Sequence, residues 1–425
     1  MSATRARGIA LSSLTLGLAA VLAAPLAAAG REGPGVAPRR MFVTSTQGSA
    51  NLGSWAETTG TGLAGLPAGD KICQVRAEAV GFATAGVPVF RAWISDSSTD
   101  AWCHVQGLAG KKGTGCGGGS QIGGGPWKRA DDVLFSQSLA DFTANAPLTA
   151  PVVTETNAVA ALGPGIAWSG TNSDGTLTAD TCGGWTVATF GAQGIGATTS
   201  IATWTQGFTN GCGNSYRLYC FEQGAVGAPV SPVTGPGGIA FVTSESNTGD
   251  LSLWASSGSQ DGLAGGDAVC QTLAAAATLP GASTFKAWMS DAATDAISRL
   301  TLDGPWNRVD GLRVASSKAD LTDGNVAAPL RVTETGSRLA LGEKTWTGTS
   351  AGGTKLGARC ADWTSGLAID SGAVGLDDDT NGNWTSQNFD ACDQVRHLDC
   401  FGNVLYLFWD NFEAGSFIRW TATSP

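Results

Sequence analysis

Short runs of alternating apolar and polar residues recur along the chain in two sets. MFVTS at 41–45 and AFVTS at 240–244 read as β-runs that open a sheet. RAWISD at 91–96 and KAWMSD at 286–291 read as alternating strands that turn Trp93 and Trp288 toward a core. RLYCF at 217–221 and HLDCF at 397–401 read as closing strands. Between the first two members of each set, LAGLPAGDKICQ at 63–74 and LAGGDAVCQ at 263–271 pass from glycine-rich sequence into a helix. Asp70 and Asp267 are placed there as N-terminal caps or first-turn acids. The second helix is alanine-rich through Ala277 and should stop before Pro280.

The order of these elements is the same in both sets, which predicts two copies of one domain. AWSGTNSDGTLTADTCGGWT at 167–186 recurs as TWTGTSAGGTKLGARCADWT at 345–364, and PVVTET at 151–156 matches LRVTET at 330–335. The offset between copies falls from 195 to 179 residues on passing from the RAWISD run to Gly125-Pro126-Trp127 and Gly304-Pro305-Trp306, so the first copy carries about 16 extra residues between 101 and 125. These extra residues include two glycine runs, without the strand-to-helix context of a phosphate cradle, and are expected to be a flexible surface loop. A local disulfide from Cys103 to Cys116 would pin it. The predicted divisions are a leader at 30–40, domains at 41–222 and 240–402, a Pro/Gly linker at 223–239, and a tail at 403–425. The linker composition predicts some relative movement of the two domains.

Residues 1–29 read as an export signal: Arg5 and Arg7, an apolar run, and an Ala27-Ala28-Ala29 cleavage site. Its removal takes the net charge from −10 to −12 on a chain with two histidines. So acidic a surface excludes nucleic acid and anionic membranes as favoured partners, and no second segment is apolar enough for stable membrane insertion after cleavage. All 10 cysteines lie beyond the signal, and an even count in an exported chain points to disulfides. Four are shared by the copies: Cys73, Cys182, Cys212 and Cys220 against Cys270, Cys360, Cys392 and Cys400. Spacing alone leaves all their pairings open.

The run from the Trp-Ser/Thr-Gly-Thr turn through Cys-x-x-Trp to the late cysteine pair resembles the endostatin domain of certain animal collagens, a member of the C-type lectin-like fold. It is also similar to a family of secreted bacterial domains that share the Phe-Val-Thr-Ser opening, Lys/Arg-Ala-Trp-x-Ser-Asp and Val-Thr-Glu-Thr. The resemblance implies an α+β fold: two tandem C-type lectin-like domains with short antiparallel strands, one or two helices each, and nested disulfides. The implied pairs are Cys73–Cys220, Cys182–Cys212, Cys270–Cys400 and Cys360–Cys392. It also implies that function sits in long loops, at 191–211 and 372–391.

Candidate chemistry is sparse. The Glu-Pro-Asn, Gln-Pro-Asp and Trp-Asn-Asp signatures of calcium-dependent lectins are absent, and His104 and His397 stand at non-equivalent positions. The sharpest local signal is Asp377, Asp379 and Asn381 followed by Gly382, the D-x-D-x-N-G start of a calcium loop, with Asn388 where a bidentate Glu would stand. A solvated acidic loop is the competing reading. No histidine is shared by the two copies to serve as a base, so no catalytic residues are assigned. Glu155, Glu334, Asp96 and Asp291 are expected at strand edges and turns. The tail at 405–425, with its D-N-F-E-A-G run and Trp420, resembles short endings on exported bacterial proteins. The expected function is recognition of an extracellular glycan or protein ligand, against a structural envelope role or a secreted hydrolase.

Overall fold

The computed structural model describes residues 38–87, 89–160, 166–179, 181–189, 195–197, 199–232 and 235–407. The export signal, most of the leader, the tail beyond 407 and residues 190–194 of the first long loop lie outside the described residues. The fold is mixed α+β with small sheets and few helices. In the first half, Arg39–Val43 lies antiparallel to Arg217–Glu222, pairing Phe42 with Cys220, and parallel to Trp127–Lys128. In the second, Gly238–Val242 lies antiparallel to Asp399–Phe401, pairing Phe241 with Cys400, and parallel to Trp306–Arg308. Hairpin partners Leu134–Ser136 and Arg313–Ala315 complete the same edge in each. A second hairpin joins each closing strand in parallel. Ile166–Trp168 does so through Ala167 and Arg217, and Lys344–Trp346 through the bridge of Thr345 to His397.

Because strand side chains alternate and both faces are covered, each central strand feeds two cores. Phe42, Leu218 and Cys220 pack with the helix Gly65–Ala79, while Met41, Val43, Tyr219 and Phe221 pack with Trp93, Trp127, Phe135 and Trp204. The second half divides in the same way around Gly262–Ala276. Trp93 and Trp288 are fully buried, as their alternation predicts, although the strands shrink to Phe90–Ala92 and Lys286–Ala287 and each tryptophan follows directly after its strand. Their indole N–H groups donate to Thr205 and Thr385 at 2.8 Å. Trp185 and Trp363 likewise donate to the carbonyls of Ser95 and Ser290 at 2.7 Å, so each buried ring has its polar atom satisfied in the same place twice.

Five disulfides staple the chain: Cys73–Cys220, Cys103–Cys116, Cys182–Cys212, Cys270–Cys400 and Cys360–Cys392. These are the nested pairs and the local bridge expected above. The Cys-x-x-Trp segments form a single left-handed turn. Cys182 to Trp185 and Cys360 to Trp363 all have positive φ, which drops each tryptophan back into the core beside its disulfide. Among the described residues, no helix is long and apolar enough to cross a membrane.

Two expectations are corrected. Asp70 and Asp267 are not caps: the helices begin five residues earlier, at Gly65 and Gly262, and these acids face the neighbouring strand and short helix. Asp70 binds Arg91 at 2.5 Å and His104 at 2.7 Å and accepts from the backbone N–H of Ala92, while Asp267 holds Lys286, Arg299 and the N–H of Ala287. Relative movement of the halves is also not what the fold provides. The two halves belong to one compact unit, and the linker is docked, with Gly227 donating to Gly125 and Val230 exchanging hydrogen bonds with the Gln137 side chain.

The seam between the halves has approximate two-fold character. Arg129 reaches across to the carbonyl of Ala327 at 3.5 Å, and its counterpart Arg308 reaches back to Leu148 at 3.3 Å. Each arginine is held by an aspartate two residues on, Asp131 or Asp310, at 2.6 Å. Leu134, Leu148, Leu312 and Ala328 form a small apolar cluster of their own from both halves.

Candidate functional site

The acidic loop at 377–381 is part of this seam. Thr380 donates through its backbone N–H (2.8 Å) and hydroxyl (2.9 Å) to the carbonyl of Thr199, and Ile201 donates to the carbonyl of Asp378 at 3.0 Å. Ser200 and Asp379 thereby form an antiparallel bridge between corresponding loops of the two halves. The calcium pattern dissolves into separate tasks. Asn381 caps a 3-10 turn by accepting from the N–H of Asn383 at 2.8 Å, and Asp379 accepts from the Asn383 amide at 2.9 Å. Asp377 lies in a different electrostatic neighbourhood, with Asp378, Arg331, Asp399 and Glu343. Among the described residues, no group of three or more His, Cys, Asp or Glu is arranged to hold a metal ion. Asp379 and Asn381 are thus both turned to Asn383, while Asp377 is buried beside Asp378, Arg331, Asp399 and Glu343.

Nor is the loop a solvated one. Asp377, Asp378 and Asp379 are 2%, 1% and 6% exposed. Among the described residues, neither carboxyl oxygen of Asp377 has a hydrogen-bond partner, and one oxygen each of Asp378 and Asp399 is also bare. Burial disfavours the charged forms. Desolvation, reinforced by Asp378 and only partly offset by Arg331, pushes Asp377 up to about 9. Desolvation raises Asp399 to about 7 against the hydroxyl of Thr345, and raises Asp378 to about 6 against the N–H of Gly342. Asp399 was detectable as an acid at an inward position of an apolar strand, where the first half has Tyr219. Arg331 carries no such signal.

The shared acids stay apart, each on its own partners. Asp96 accepts from the N–H groups of Ser98 and Thr99, and Asp291 from those of Ala293 and Thr294, the turn-capping role expected. Glu155 and Glu334 clamp the N–H and hydroxyl of Ser45 and Ser244. His397 hydrogen-bonds through Nδ1 to the carbonyl of Thr243, a position its counterpart Arg217 serves in the first half by donating to Thr44 and Ser45.

The long-loop region of the first half does form an open cleft, of about 550 Å³. Its walls are the turn at 172–179 and the segment 206–209. The turn is fixed by Asn172, whose N–H donates to Thr176 and whose amide donates to the carbonyl of Leu177, and by Asp100, which accepts from the N–H of Leu177 at 3.0 Å. Lys112 from the inserted loop donates to the carbonyl of Asp174 and lies 4.2 Å from the centroid of the Trp102 ring, so the insertion braces the turn from outside. Phe208 presents a ring that is 55% exposed, between Gly207 and Thr209 on the opposite wall. A lone aromatic in the polar run TQGFTNG was the available sequence signal for it. In the second half Asn388 and Phe389, the counterparts of Phe208 and Thr209, lie in the strand Asn388–Ala391, paired with Ser371–Leu376. Compared with known proteins, the chain matches no family model, and no curated protein is significantly similar to it.

Proposed function

We propose that this chain is an exported extracellular or cell-surface binding protein of two tandem C-type lectin-like domains, 41–222 and 240–402, whose long loops recognise a glycan. The observation that carries this reading is the cleft of the first half, where the exposed Phe208 and the Gln206 amide share one wall and Asn172 and Thr178 line the other. A sugar ring offers an apolar C–H face to an aromatic plane and a rim of hydroxyls to amides and hydroxyls, which is the combination this cleft provides. Recognition in this reading is independent of calcium and involves no catalytic step.

The test is a glycan array probed with the full disulfide-bonded chain, with and without chelator. Binding is expected to survive chelator and to fall about tenfold in Phe208→Ala, from loss of one ring contact, while Phe389→Ala in the second half serves as control. Full-strength glycan binding by Phe208→Ala, or loss of binding in chelator, would overturn the reading.

A further inference from the structure

The approximate two-fold axis of the seam relates two clefts that differ in volume and in lining. One, lined by Val152, Val153 and Val159 from the first half and by Asp320, Asp323 and Val326 from the second, is open, with a volume of about 390 Å³. Its counterpart has a volume of about 10 Å³. In sequence register, Arg331 stands there in place of Val152, and Arg338 in place of Val159. Both arginines serve the seam. Arg331 donates to the carbonyl of Asn145 at 3.0 Å, and Arg338 lies 3.6 Å from Asp141, the counterpart of Asp320. The closed cleft thus supplies its own guanidinium, that of Arg338, to its own acid.

The open cleft keeps the acid and lacks the arginine. Asp320 accepts from the N–H of Ser316 at 2.5 Å, and Asp323 from the N–H of Asn325 at 2.9 Å; among the described residues neither lies within 4.0 Å of a cationic group. Arg313 is near enough to Asp320 only for electrostatic influence. Arg129 is already committed to Asp131. What remains is an apolar wall of valines facing two carboxylates, a shape suited to a side chain with an aliphatic stem and a cationic head.

We propose that the open seam cleft receives an arginine side chain of a partner polypeptide, in the position that Arg338 fills in the closed one. The site is separate from the long-loop cleft and does not depend on glycan binding. The probe is acetyl-Gly-Arg-Gly-amide, titrated calorimetrically into the full disulfide-bonded chain beside its citrulline and lysine counterparts. Citrulline keeps the shape and loses the charge, so binding of the arginine peptide at one site and roughly tenfold weaker binding of the citrulline peptide is the expected result. Lysine, with a point charge in place of the planar fork, should fall between. Val159→Arg should abolish binding by filling the cleft from within; Val159 is 61% exposed, and the closed cleft already carries arginine at this position. Asp320→Asn, which leaves the cleft open, should weaken binding about tenfold. Absence of arginine-peptide binding, equal binding of the arginine and citrulline peptides, or undiminished binding in either variant would overturn the proposal.

Discussion

The two halves agree where side chains are wired into the interior and disagree where they meet each other or solvent. Both bury an aspartate on the first helix of the half under two basic side chains, Arg91 and His104 in one and Lys286 and Arg299 in the other. Both satisfy the same tryptophans on the same acceptors, and both clamp a serine with the glutamate of Val-Thr-Glu-Thr. They part at Val152 and Val159 against Arg331 and Arg338, and at the Gly183-Gly184 pair against Ala361-Asp362; the interior exception is Tyr219 against Asp399. The difference teaches what each position does. A buried polar group that has lost its partner is expensive, so wiring resists change in both copies. A seam position is constrained only jointly with its opposite number, so valine on one side and arginine on the other can both persist.

The largest effects test the shared part. Cys73–Cys220 and Cys270–Cys400 close sequence separations of 147 and 130 residues. In the chain-entropy account each bridge contributes about 4 to 5 kcal/mol by restricting the unfolded chain, nearly the same in the two halves. Cys73→Ala/Cys220→Ala and Cys270→Ala/Cys400→Ala should therefore lose equal stability in urea unfolding. Cys103→Ala/Cys116→Ala, which opens a separation of 13 residues, should lose less. A markedly larger loss in one long pair than in the other would show that the halves do not share a common stapling.

A second effect should separate the halves by pH. Asp377, Asp378 and Asp399 are raised in the fold to about 9, 6 and 7, while in the unfolded chain such groups titrate near their ordinary value of about 3.9. The folded state then holds more protons, so the stability they contribute is full below that ordinary value and is lost as pH rises through 6, 7 and 9. Asp70 has the opposite sign. Burial alone would raise it, but His104, Arg91 and the N–H of Ala92 together hold it below the usual carboxylate range, so its contribution is lost on acidification. Asp377→Asn should flatten the decline between pH 6 and 9 and add about 1 to 3 kcal/mol at the alkaline end, measured by urea unfolding at successive pH values. An unchanged slope would mean that the seam acids ionise freely.

How far the sequence disclosed this follows from the same contrast. The apolar runs in MFVTS and RLYCF marked the central strands because burial on both faces leaves a continuous local imprint, and the repeat made each assignment twice. Cys-x-x-Trp marked the stapled turn. The seam left no such imprint. Asp377, Asp379 and Asn381 carry the spacing of a metal loop, yet docking on Ser200, distant in sequence, buries the segment in the seam, where Asp379 and Asn381 are taken up by Asn383. Val159 and Arg338 gain meaning only when the two halves are docked. Linker composition predicted motion, because glycine and proline content does not reveal that Val230 and Gly227 find partners on the first half.

The smallest effect sharpens the comparison at a single turn. Gly183 and Gly184 have φ of 59° and 67°, and Ala361 and Asp362 have 52° and 54°, so the second half holds two side-chain-bearing residues in a left-handed conformation that glycine occupies in the first. The left-handed region costs a non-glycine residue about 1 kcal/mol or more, because Cβ approaches the following carbonyl. A Cβ added at Gly184 would meet no atom within 4 Å, so Gly184→Ala isolates the backbone term and should destabilise by about 1 kcal/mol. Ala361→Gly should stabilise, but by only about 0.5 kcal/mol, since glycine also enlarges the unfolded ensemble and returns part of the gain. Urea midpoints moving in opposite directions for these two substitutions would establish that Asp362 is retained against its backbone preference, and its carboxylate supplies a reason. It accepts from the N–H of Ala292 and from Arg359, both at 2.9 Å, tying the turn to the loop after KAWMSD in a way that Gly184 cannot.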